Sequence, residues 1–243
     1  MTPTLIAILA IVFIASLVRS TLGFGESLIA VPLFLFFLPV SIAVPLSVML
    51  SILIALIIVI QDHSKIHFES AKWLILYAIL GIPLGLFILI YVNETFVKIG
   101  LGCLIIVYSL YSLFGKNTLT LKQDHKIWLF ICGFLSGILG GAYGLNGPPL
   151  VVYGNLRKWT ARNFRATLQA YFLPASLIGF IGYSIKGLVT INVIHYFGIS
   201  LIAAIPAIFL GRYLNHKLND QSFLNYAYWG LTAIGIVLIV NSL

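Results

Sequence analysis

Charge is what this sequence has least of. Only 8% of its 243 residues are Asp, Glu, Lys or Arg and 61% are hydrophobic, against about 25% and 45–50% in soluble domains. That balance excludes a water-soluble globule of this length. Cysteine is scarce too: Cys103 and Cys132 are the two present, each inside an apolar run. They read as small packed hydrophobes and exclude a disulfide framework or a thiolate metal cluster. Absent as well are a glycine-rich phosphate loop, a nucleophile elbow and a His-Glu metal motif. No convergent acid, base, nucleophile or metal ligands are left to build an enzyme, so none is expected, nor any cofactor or metal. The net charge of +8 is scattered among loops rather than gathered in a patch, which speaks against nucleic acid.

What is present is uninterrupted apolar sequence. Charge-free runs reach from 27 to 61, 73 to 93, 127 to 156, 166 to 185, 187 to 211 and 221 to 243, and a spanning helix needs about 20 residues. The runs do not alternate, which excludes a β-barrel. The first segment, 4–18, has no basic start and no small-residue cleavage pattern, so it reads as mature structure rather than a signal peptide. Ten segments emerge: 4–20, 27–38, 42–61, 73–92 and 97–114, then 127–141, 148–156, 164–185, 190–212 and 221–242. The second in each group of five is too short to span at 1.5 Å per residue. It pairs with its predecessor as a hairpin that enters and leaves on one side.

The two groups resemble each other. Gly23-Phe24-Gly25-Glu26-Ser27 aligns with Gly144-Leu145-Asn146-Gly147-Pro148 at an offset of 121 positions, and Pro83 aligns with Pro206 at 123. A hairpin plus three full spans starts and ends on opposite faces, so consecutive halves are inverted. The expected fold is an all-α polytopic membrane protein of about eight transmembrane helices. It has two inverted repeats, 1–115 and 127–243, joined by a polar cytoplasmic linker 116–126, with short broken or re-entrant helices at the centre. This arrangement gathers eleven of the fourteen basic residues on one face: Lys65, Lys72, Lys116, Lys122, Lys126, Arg157, Lys158, Arg162, Arg165, Arg212 and Lys217. The positive-inside bias makes that face cytoplasmic and puts both termini outside.

The apolar pattern breaks in the same place twice, over 19–27 and 140–149. Such backbone survives at membrane depth only where protein or a water-filled cavity satisfies it. Matched interruptions in two halves point to a transport site. Short helices starting near Ser27 and Pro149 would aim free N–H groups and positive dipole ends at an anion. The competing explanation is that the glycines only allow close helix packing. Arg19 and Glu26, seven residues apart, form either a structural ion pair or a site in which Arg19 faces the anion and Glu26 carries a proton. Arg162, Arg165 and Gln169 share a helix face. Arg162 reads as a cytoplasmic anchor, whereas Arg165 and Gln169 either line the approach or, for Arg165, snorkel to lipid. The candidate binding residues are Arg19, Ser20, Gly23, Gly25, Glu26, Ser27, Tyr143, Asn146, Gly147, Pro148, Arg165 and Gln169. Ser47 and Ser51 face the centre or bond their own backbone; His63 and His67 read as loop residues, and His195 as a packing residue.

Two stretches resemble the TauE/SafE family of sulfite or organosulfonate transporters: Thr21-Leu22-Gly23-Phe24-Gly25-Glu26-Ser27-Leu28-Ile29-Ala30-Val31-Pro32 and Gly140-Gly141-Ala142-Tyr143-Gly144-Leu145-Asn146-Gly147-Pro148-Pro149-Leu150. Length and helix layout extend the resemblance over the whole chain. It implies about eight transmembrane helices in two related halves and transport of anions such as sulfite, thiosulfate, sulfoacetate or arylsulfonates. Glu26 and Asn146 stand where the family often has glycine, and Pro148-Pro149 replace a run of small residues. The expected protein is a secondary anion carrier of the bacterial inner membrane, with the bilayer and a small anion as partners and a second copy of the chain as a candidate one. The alternative is a carrier or channel for a small carboxylate or other inorganic anion.

Overall fold

The computed structural model describes residues 3–114 and 120–215, with 229, 232–233 and 235–241 of the closing segment. Among these residues the chain is helical and contains no strand. Nine helices follow in order: α1 Pro3–Leu22, α2 Glu26–Phe34, α3 Val40–Asp62, α4 Phe68–Tyr91, α5 Glu94–Phe114, α6 Lys126–Tyr143, α7 Gly147–Leu156, α8 Ala161–Ile185 and α9 Ile191–Asn215. Seven of them, all but α2 and α7, are long and apolar enough to cross a membrane. The tenth expected segment, 221–242, lies largely outside the described residues, as do Lys116, Lys217 and the first part of the linker; helical residues 235–240 pack on α5, where a Cβ at Gly102 would come within 2.9 Å of the Gly235 carbonyl oxygen.

Two boundaries differ from the sequence expectation for local reasons. Gly140 and Gly141 do not interrupt α6; the helix runs through them and stops at Gly144, which takes a left-handed conformation with φ 67° and closes the last turn onto Gly140 and Leu139. Helix α4 starts at Phe68 rather than 73, its first turn carrying the polar Glu69 and Ser70. His67 is half-buried, stacked on Trp159 and bonded to Asn163, rather than a solvated loop residue. His195 is exposed on the first turns of α9, not packed inside.

Both short helices double back. Helix α7 returns alongside α6 until the Leu121 amide, before α6, donates to the Leu156 carbonyl at 2.8 Å. There Asp124 accepts from Tyr153 Oη (2.6 Å) and Ser70 Oγ and pairs with Arg157 Nε at 2.9 Å, clasping α4, α6 and α7 at one end of the bundle. Helix α2 likewise packs on α1. Its hairpin approaches from the opposite end: the α1 tip reaches Asn215 at the close of α9, whose Nδ2 donates to the Thr21 carbonyl at 2.6 Å.

Close helix approach rests on glycine where α4 meets α6. Gly81 and Gly85 face Gly137 and Gly141, and a Cβ at any of the four would strike the partner's backbone. Helix interfaces in lipid are built this way because packing and polar contacts replace the hydrophobic drive. The crossing of α1 and α9 uses Gly211 against Ser20, whose Oγ donates to the Ile208 carbonyl at 2.7 Å. Helices α3 and α8 also pack on each other, and α3 has the most buried span of the seven.

Candidate functional site

Helix α8 is the least apolar span because it carries Arg165, Thr167, Gln169 and Ser176, all buried. Polar side chains inside a bilayer turn toward protein or water, since lipid offers them no partner. Those of α8 meet the tips of both hairpins. Gln169 Nε2 donates to the Gly23 carbonyl at 2.7 Å, and Tyr183, further along, donates from Oη to the carbonyls of Gly140 and Gly141 at 3.0 and 2.8 Å. One helix thereby latches both broken segments.

The two tips meet at a small cavity of about 20 Å³ lined by Arg19, Glu26, Ser51, Asn146, Gly147 and Phe172, together with Gly25, Ser27, Leu28, Gly144 and Leu145. Gly23 and Gly25, with φ of 89° and 98°, turn the chain through the left-handed region that residues with a Cβ rarely adopt. Helix α2 then begins at Glu26, and its first amides, those of Glu26, Ser27 and Leu28, have no intrahelical acceptor. Helix α7 begins opposite, at Gly147, but Pro148 and Pro149 remove two N–H groups from its first turn. The end richer in free N–H groups is therefore α2, whereas α7 brings the Gly147 amide and Asn146 to the cavity. Asn146 is held by Ser136, whose Oγ donates to its carbonyl at 2.6 Å, and its Oδ1 rests against Gly140, where any Cβ would collide with it.

Arg19 occupies the centre, only 3% exposed, with Glu26 at 1%. Its Nη1 donates to Glu26 Oε2 at 3.1 Å and Ser51 Oγ at 2.8 Å. Its Nε and Nη2 donate to Gln169 Oε1 at 3.2 and 2.9 Å, and Nη2 also reaches the Ser51 carbonyl at 3.3 Å. The guanidinium lies over the Phe172 ring, 4.7 Å from its centroid. All five N–H donors of the arginine are thus directed at protein. Glu26 is equally engaged: Ser47 Oγ donates to Oε1 at 2.8 Å and Ser27 Oγ to Oε2 at 2.9 Å.

These observations describe two helical hairpins whose tips meet at a buried, charged cavity inside an apolar helix bundle. Residues 8–238, nearly the whole chain, match the sulfite exporter TauE/SafE family. The chain belongs to the TauE/SafE family. It is a multi-pass membrane protein of a transporter family, and no curated protein and no solved structure matches it.

Within this TauE/SafE protein, Arg19, Gly25, Glu26, Ser27, Asn146 and Gly147 come together on the cavity as the sequence grouped them. Gln169 stands behind Arg19 and orients it. The other candidates sit elsewhere. Ser20 is spent on the α1–α9 crossing, Gly23 packs beneath the tip against Arg165, and Tyr143 faces Gly100 on α5. Arg165 ion-pairs with Asp62 through Nη1, while its Nε and Nη2 lie buried without partners. It lines no part of the cavity, being one helical turn from Gln169 toward the basic end. Among the described residues no group of acidic, His or Cys side chains could hold a metal. Sequence reasoning missed Phe172, Ser176 and Asp62. Phe172 lies three positions beyond Gln169, a spacing that puts both on one face, and that was the available signal.

Proposed function

We propose that this protein is a secondary carrier that moves a small sulfur-containing anion, such as sulfite, thiosulfate or an organosulfonate, by alternating access between two inverted halves. The observation that carries the reading is the meeting of two hairpin tips, latched by opposite ends of α8, on one cavity that holds a buried arginine and the free amides of α2. Inverted halves are supported by reciprocity in the packing. Helix α4 of the first half packs on α6 of the second as α9 of the second packs on α1 of the first, and the α3–α9 contact mirrors α8–α4. With halves of 1–115 and 127–243, these contacts map onto one another and α3–α8 maps onto itself when the halves are exchanged, as an internal two-fold axis requires.

Rocking one half against the other would open the cavity past the Gly23–Gln169 latch, which joins the halves, while the Gly140/Gly141–Tyr183 latch holds the second hairpin to its own half. The basic end, with Lys65, Lys72, Lys122 and Arg157, faces the cytoplasm of a bacterial cell in this reading, and the N-terminus lies outside. An oxyanion suits the site because amides at a helix start present hydrogens to its oxygens, with the positive charge of Arg19 beside them.

Thermal stabilisation of the detergent-purified protein across sulfite, thiosulfate, alkanesulfonates and small carboxylates tests the substrate class, since a ligand raises apparent stability by mass action. Counterflow in proteoliposomes tests the mechanism. A carrier exchanges labelled for unlabelled anion and saturates; flux without exchange would instead show a channel, and stabilisation by carboxylates alone would move the substrate to that class.

A further inference from the structure

The cavity holds its own counter-ion. Arg19 supplies the one positive charge there, and the Glu26 carboxylate cancels it while lying at the N-terminal turn of α2, beside the amides offered to an anion. A second negative group entering this space meets a like charge across a few ångströms in a medium of low dielectric. The site accepts an anion only when Glu26 gives up its charge or its place. Its place is fixed from several sides. Ser27 on its own helix and Ser47 on α3 hold the two carboxylate oxygens, Arg19 on α1 holds Oε2, and the remaining wall consists of Ser51 of α3, Asn146 and Gly147 of the α7 tip and Phe172 of α8. Arg19 is the sole charged group among these; Asp62 and Arg165 pair with each other outside the cavity.

Arg19 does not depend on Glu26 for its position. Gln169 receives two of its donors, the Ser51 hydroxyl and carbonyl receive two more, and Phe172 stacks on its face. Loss of the Glu26 charge therefore leaves the guanidinium in place, with one Nη1 hydrogen still on Ser51 and the other free. We propose that Glu26 is a proton-binding site coupled to the anion, so that one proton is taken up with each anion loaded and released with it on the other side. This rests on the carrier reading above and adds the coupling ion to it. The step balances simply: a proton from water adds to a Glu26 oxygen, the Arg19 Nη1–Glu26 contact breaks, the same Nη1 donates to the anion, and the reverse occurs on release. The protonated carboxyl gains an O–H that can itself donate to the bound oxyanion.

The test uses the full-length protein in proteoliposomes with labelled methanesulfonate, whose single charge is the same from mildly acidic to neutral pH, and with the membrane potential clamped by valinomycin and equal potassium. Wild-type uptake at low substrate should rise by about tenfold for one unit of external acidification, the dependence of a one-proton step. An inward proton gradient should drive accumulation above the bath concentration. Glu26→Gln, fixed in the neutral form, should exchange methanesulfonate with no pH dependence and lose gradient-driven accumulation, while Glu26→Asp keeps it. Wild-type exchange that is flat with pH, or accumulation by Glu26→Gln equal to wild type, overturns the proposal. If Glu26→Gln cannot be purified as a monodisperse protein, lumenal pyranine decides on wild type alone: acidification with anion entry supports coupling, and its absence refutes it. Absence of exchange for every sulfur anion and carboxylate in wild type is a different result, which overturns the carrier reading and the coupling with it.

Discussion

Replacing Gly23 and Gly25 by alanine separates two costs at the tip of the first hairpin. Both residues have φ in the left-handed region, 89° and 98°, where a Cβ costs roughly 1–2 kcal/mol. Their surroundings differ. A Cβ on Gly25 would have Val18 Cγ1 at 3.5 Å, an ordinary contact, whereas a Cβ on Gly23 would lie 2.8 Å from the Cα of Arg165, which is helix backbone and cannot swing away. Gly25→Ala should therefore show the conformational term alone. Gly23→Ala adds displacement of α8, an overpacking cost of about 1–3 kcal/mol. For a chain of this size each kcal/mol moves the melting temperature by about 2–4 °C. The expected losses are then about 2–8 °C for Gly25→Ala and roughly twice that for Gly23→Ala, measured by thermal unfolding in detergent. Asparagine tolerates positive φ better, so Gly25→Asn should recover part of its loss and Gly23→Asn none. Gly23→Ala should also weaken transport, because Gln169 holds both the Gly23 carbonyl and Arg19. Equal losses for the two alanine variants would refute the close approach of tip and α8; no loss in either would refute the left-handed tip.

Other expected outcomes follow from the same geometry. Arg19→Gln leaves Glu26 buried and unpaired, a defect of about 3–5 kcal/mol, and should abolish anion-dependent stabilisation; adding Glu26→Gln should restore the melting temperature but not the binding. Gly141→Val on α6 would drive a side chain into the α4 backbone, so monodisperse protein should be lost, whereas Gly198→Ala on α9, with open space around it, should be neutral by size-exclusion chromatography. Asp62→Asn removes the partner of the buried Arg165 guanidinium and should lower the melting temperature more than Asp62→Asn made together with Arg165→Gln. In a background without Cys103 and Cys132, Asn93→Cys should react with an impermeant maleimide on intact cells and Ser64→Cys only after permeabilisation; the reverse pattern would invert the assigned orientation. Both positions are exposed, at opposite ends of the bundle.

The helices themselves were written in the sequence. A bilayer demands about 20 apolar residues with every backbone group bonded internally, so the long charge-free runs had no other fold to adopt, and α3, α5, α8 and α9 begin and end within a few residues of the runs that announced them. The left-handed breaks at Gly23, Gly25 and Gly144 were legible for the same reason, being paired interruptions in an otherwise continuous pattern. What could not be read locally was the use of each small residue. Gly140 and Gly141 look like breakers beside Gly144, yet they stay helical because Asn146 and α4 press against them. Ser20 sits one residue from Arg19, yet a helix turns successive side chains about 100° apart, and Ser20 went to the α1–α9 crossing. The partners of Arg19 come from three other helices, α2, α3 and α8, and lie as many as 150 positions away. The sequence by itself determined a membrane bundle with two broken centres and a charged pair beside the first. Only the tertiary structure decided that Arg19 is fully occupied, that Gln169 and Phe172 frame it while Arg165 stands apart with Asp62, and that α2 rather than the proline-led α7 offers the amides, because those outcomes depend on which helix faces meet.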